Sequence, residues 1–80
     1  MAKTTSNTPK LFASSQYRHR ASPSEKLQYG GSTVTEFLVG VEGSDASTWQ
    51  RIQGYGRLPG NRKTDALNRF RAMVARGEVP

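Results

Sequence analysis

Glycine and proline cut this chain into short pieces. Gly30-Gly31, Gly40, Gly43, Gly54, Gly56, Pro59-Gly60 and Gly77 fall at intervals that leave room only for brief elements. Each element then needs its own start and stop signals, and the sequence carries several. Ser22-Pro23-Ser24-Glu25 is a capping box, with Pro23 at the first helical position and Gly30-Gly31 as terminator. Thr33-Val34-Thr35-Glu36 repeats the box. Asp45 is an N-cap candidate for a short helix in Ser44–Gly60, the stretch around which the rest of the chain is organised. Asn61 or Thr64 starts a last helix that runs to about Arg76 and stops at Gly77.

Apolar spacing supports the same division. Leu27 is expected to face inward from the first helix. Val34, Phe37, Leu38 and Val41 recur at helical spacing, and so do Leu67, Phe70, Met73 and Val74. Trp49 and Ile52 stand three apart and would share the inner face of a helix over about 45–53. For 33–41 a strand is the rival reading, because Val and Thr favour sheets and Thr33, Thr35, Phe37, Val39 and Val41 share a strand face. Cap and period together favour the helix. The expectation is an all-α fold, a small bundle of about four short helices. Its core would be Leu27, Val34, Phe37, Leu38, Val41, Trp49, Ile52, Leu67, Phe70, Met73 and Val74.

Residues 1–21 hold Lys3, Lys10, Arg18, Arg20 and His19 and no acid. Ser and Thr dominate there, so little surface can be buried to offset ordering entropy. The expectation is a flexible basic arm over 1–21 and a helical domain over 22–80, with Arg18 and Arg20 available to a phosphate backbone. At 80 residues the chain has a small core, and without cysteine no disulfide can brace it. A partner subunit is one way to add buried area, so a homodimer is considered. Twelve Lys and Arg against six Asp and Glu give a net charge of +6, which suits a polyanionic partner. No apolar run approaches the roughly 20 residues of a membrane span, and no secretory h-region is evident. Both fit a cytoplasmic protein.

A capped helix, a glycine-containing turn and a second capped helix with a polar outer face make the helix-turn-helix layout. The chain resembles the Cro and phage-repressor class of small helix-turn-helix regulators over residues 33–76. The resemblance is carried by Gly43, Asp45, Thr48-Trp49, Arg51-Ile52, Gly56-Arg57-Leu58-Pro59 and Ala66-Leu67-Asn68-Arg69-Phe70. Two departures are Ser44 and Glu42, where the class usually has apolar residues. The resemblance implies sequence-specific binding of double-stranded DNA, with residues 45–53 as reading helix in the major groove. Ala46, Ser47, Gln50 and Arg51 would meet base edges. Thr33, Thr48, Arg57, Arg62 and Lys63 would hold phosphates.

Catalytic and metal chemistry is not expected. The one histidine lies in the arm, no Cys-His or Ser-His pairing suggests itself on ordered elements, and the acids are scattered or act as caps. No cofactor is expected. Two other functions compete with DNA regulation. One is a protein-binding module, an adaptor or inhibitor docking on a larger partner. The other is RNA or ribosome binding through the basic segment and Tyr55. A strand at 33–41 would remove the helix-turn-helix and put the protein-binding module first.

Overall fold

The computed structural model describes residues 10–79. It contains strand β1 (Leu11–Arg20), helix α1 (Pro23–Tyr29), strand β2 (Thr33–Val41), a 3-10 turn (Ala46–Thr48), strand β3 (Gln50–Gly54) and helix α2 (Pro59–Ala75). The strands form one antiparallel sheet in the order β1-β2-β3, and α2 packs across it. The fold is therefore α+β, and the all-α bundle of four helices is corrected.

β2 explains why helical spacing misled. It is the central strand, and both of its faces are covered in part. Phe37 and Val39 point to the α2 face at 6% and 0% exposure, while Val34 on the other face is 1% exposed. A strand buried on two sides loses its clean alternation, and its apolar residues then also match a helical stripe. β-branched Val and Thr, with a hydrogen-bonding partner on each side, decide the outcome.

The α2 face holds the main core of Phe37, Val39, Ile52, Ala66 and Phe70, with Leu11, Ala13, Val41, Leu67 and Met73 packed against it. Gly54 and α2 meet backbone to backbone: a Cβ on Gly54 would lie 2.0 Å from the Arg62 carbonyl oxygen. Only glycine admits so close an approach.

Local signals fared better than long-range ones. The capping box of α1 is present, with the Glu25 amide donating to Ser22 Oγ at 3.2 Å and the Ser22 amide donating to Glu25 Oε1 at 2.9 Å. The last helix begins at Pro59, ahead of Asn61 and Thr64, with Leu58 at its N-cap and no side-chain cap bond. Two expected core residues, Leu27 at 89% and Val74 at 49%, are exposed, and Leu38, Val41, Trp49, Leu67 and Met73 are half-buried. Residues 11–20, expected in a flexible arm, form β1. The Ala21 amide donates to the Ser32 carbonyl at 3.0 Å, so the β1–β2 ladder runs on past Arg20. The arm expectation for residues 1–9 lies outside the described residues.

Candidate nucleic-acid interface

Strand register divides the side chains between two faces. Pairs Leu11–Val41, Ala13–Val39 and Ser15–Phe37 place the odd residues at the start of β1 under α2. Gln16 is then an extra residue, a β-bulge between Ser15 and Tyr17. An added residue reverses the alternation beyond it. Tyr17 and His19 consequently join Phe12 and Ser14 on the face opposite α2, and Arg18 and Arg20 take the other side.

That opposite face carries two ring pairs. Phe12 and Trp49 have centroids 4.9 Å apart, tilted by 34°, and Tyr17 stacks on His19 at 5.6 Å and 22°. Phe12 is 37% exposed and Tyr17 63%, so ring surface faces solvent. Leu38 and Arg51 lie between the pairs by register.

Trp49 is positioned by two local features. Gly40 lies beneath it, and a Cβ there would come within 2.0 Å of Trp49 Cδ1. Its indole Nε1 donates to Ser44 Oγ at 2.9 Å, and Ser44 Oγ donates to the Val41 carbonyl at 2.6 Å. Ser44, a misfit in a helix-turn-helix, here anchors the tryptophan.

The far end of this face is closed by α1 and the β3–α2 connection. Tyr29 stacks on Tyr55 at 4.0 Å, and the Arg69 guanidinium lies 4.7 Å from the Tyr55 ring centroid. Asp65 accepts from the Tyr55 amide at 2.9 Å and from Arg69 Nε at 3.0 Å. Burial pushes the Tyr55 phenol up, with the Glu25 charge adding to it. Arg69 is also raised: burial opposes its charge, but Asp65 and Tyr29 outweigh that. Tyr55 is thus already engaged, which removes the exposed ring that the RNA reading assigned to it.

The expected site residues are not gathered on one reading surface. Ala46, Ser47 and Thr48 form the 3-10 turn; Asp45 does cap it, accepting from the Ser47 amide at 3.1 Å. Thr48 Oγ1 is spent on the Asp45 carbonyl at 2.7 Å. Gln50 pairs with Val39 on the α2 side and donates to the Thr48 carbonyl at 3.1 Å. The helix expected over 45–53 is corrected to this turn followed by β3, because Trp49 and Ile52 belong to opposite faces of a strand. Arg62 is 8% exposed; its Nη2 donates to the Arg57 carbonyl at 3.4 Å, and its Nε has no partner among the described residues. It is part of the α2 packing and is not presented to a backbone. Arg57 is exposed beside Gly30, and Lys63 is exposed on α2.

Arg51 alone among the four expected base readers lies on the open face. Its Nη1 is 3.4 Å from Glu36 Oε1, a pair with its arginine largely in solvent. Such a pair contributes little and exchanges readily. Arg18, Arg20, Lys26, Arg57, Lys63 and Arg71 have no carboxylate partner among the described residues. Among those residues there is also no group of His, Asp and Glu able to hold a metal ion, and no helix long and apolar enough to cross a membrane.

The sequence reading missed Phe12, Tyr17 and Trp49 as a surface. The signal was the Leu11/Ala13 against Phe12/Ser14 alternation, hidden by the polar residues around it and by the bulge. No protein-family model, curated protein or solved structure matches the chain.

Proposed function

We propose that the protein binds single-stranded nucleic acid across the open face of its sheet. The observation that carries this reading is the placement of both ring pairs, Phe12–Trp49 and Tyr17–His19, on the one face that α2 leaves free. Unpaired bases stack on such rings irrespective of sequence, and a basic protein attracts the backbone. Arg51 is placed to exchange its contact with Glu36 for a phosphate or a base edge. The net charge of +6 supplies the longer-range attraction.

Major-groove reading by residues 45–53 is set aside, since that segment is a turn and a strand. Loss of the reading helix alone would put a protein-binding module first. The open face changes that order, because it sets stacking rings beside the exposed Arg51 in a strongly basic chain. Sheets also read duplex DNA, but they do so with side chains that reach base edges in a groove. Rings lying against a sheet suit splayed bases better.

Trp49 is the only tryptophan, so its fluorescence reports directly on the face. An oligothymidylate of about 15 nucleotides should quench it, with affinity falling as salt rises from about 50 to 200 mM. A duplex of the same length should bind more weakly. Absence of quenching at the lowest salt, or preference for duplex, would overturn the reading. A nuclease-resistant protein complex without oligonucleotide affinity would restore the adaptor alternative.

A further inference from the structure

Among the described residues β1 is an edge strand with no neighbour on its outer side, and its last residues alternate in kind. Tyr17 and His19 face the platform, while Arg18 and Arg20 face away from it. Where β1 passes into α1, an open groove of about 990 Å³ is lined by Arg18, Arg20 and Lys26, with Ser32, Thr33 and His19. None of the three cations has an ion-pair partner among the described residues, and no carboxylate lines the groove. The nearby acid of α1, Glu25, is committed to the Ser22 amide at 2.9 Å. His19 adds a buried Nδ1 with no hydrogen-bond partner among the described residues.

We propose that this groove is a phosphate-binding track, holding the backbone of a strand whose bases lie on the Tyr17–His19 pair. The assignment of those bases rests on the single-strand reading above; the affinity of the groove for phosphate does not. Arg18 and Arg20 are two residues apart on one strand face, a rise of roughly 7 Å, so each meets a different phosphate. Lys26 reaches the same groove from α1, and the Ser32 and Thr33 hydroxyls add neutral donors. A strand crossing the β1 edge meets rings on one side and cations on the other. The Gln16 bulge creates that division, because if Gln16 itself paired with Glu36, Tyr17 and Arg18 would exchange faces.

The test compares the full chain with a triple variant, Arg18→Gln, Arg20→Gln and Lys26→Gln, using oligothymidylate and inorganic phosphate as probes. All three side chains are exposed, so the variant should keep the circular dichroism of the parent. Loss of three phosphate contacts should lower the slope of log K against log salt by about 2 and weaken binding roughly tenfold or more at low salt. A Lys63→Gln, Arg71→Gln control on α2 should change neither by that much. Inorganic phosphate should shift the Ser32 and Thr33 amide resonances of the parent and not those of the triple variant. If the parent binds oligothymidylate and the triple variant keeps the full slope, the track is overturned while the platform stands. If phosphate shifts these amides but oligothymidylate does not bind, the platform reading fails and the phosphate site remains. If neither probe binds, both are overturned.

Discussion

The two faces of this sheet are made from the same strands and obey different rules. Under α2, side chains are chosen for fit: Val39 and Ala66 are fully buried, Phe70 is 2% exposed, and Gly54 lets two backbones touch. On the open face, rings are held in place but left partly bare. A stability screen should therefore see one face and a binding screen the other. Phe70→Ala is the largest expected effect. Removing a buried phenyl ring costs about 3–5 kcal/mol, close to the whole stability of a domain of this size. Thermal melting should show a variant largely unfolded at 37 °C; a melting temperature near that of the parent would mean that α2 is not the partner of the core.

Gly54→Ala comes next and tests the same face by overpacking. The added methyl meets the Arg62 carbonyl at 2.0 Å, and backbone on both sides resists the shift. A loss of about 1–3 kcal/mol is expected in urea unfolding. Gly40→Ala places an equally close methyl on the open face, 2.0 Å from Trp49 Cδ1, but there a side chain is displaced rather than a backbone. It should cost less stability than Gly54→Ala and change Trp49 fluorescence more. Equal costs at the two glycines would erase the distinction between the faces.

Tyr17→Ala inverts the pattern. The ring is 63% exposed, so stability should change by no more than about 0.5 kcal/mol. Affinity for oligothymidylate should fall by about 1–3 kcal/mol, the usual worth of one stacked base. Deleting Gln16 is the matching control, since it removes the extra residue while leaving Ser15 opposite Phe37 and Tyr17 opposite Glu36, so both faces and oligothymidylate binding should be retained. Unchanged binding in Tyr17→Ala would remove the open face from function.

What the sequence showed follows from the range of the interactions involved. The α1 capping box and the Gly77 stop were legible because their partners lie within a few residues. Asp45 was correctly read as a cap, but the element it starts lasts for one turn, since Trp49 is drawn to Gly40 and Ser44 and Gln50 to the β2 ladder. β1 was hidden because its pairing partners stand more than ten residues away and six of its ten residues are Ser, Gln, Arg or His. Arg62 looked like a phosphate ligand, being a cation after a turn; only packing against Gly54 and Gly56 shows why it is buried. The charge excess and the position of Arg18 and Arg20 were visible from the start, but the groove that unites them with Lys26 needs both β1 and α1.

The smallest expected effect separates α1 from both faces. Glu25 is held below the ordinary carboxylate range chiefly by the Ser22 amide, with burial opposing and the Ser22 hydroxyl and His19 assisting. A carboxylate lowered in the folded state stabilises above its unfolded value, and that stabilisation is lost as pH falls through the lowered one. Acidification from neutral should therefore loosen α1 below the ordinary Glu range, seen as a lower protection factor of the Ser22 amide against hydrogen exchange. The melting temperature should move little on this account, because α1 contains no buried residue. Glu25→Gln should abolish the acid-dependent step in Ser22 exchange while leaving the core resonances in place. If instead the core resonances of Phe37 and Phe70 respond together with Ser22, α1 is coupled to the covered face, and the groove it forms with β1 is as rigid as the core itself.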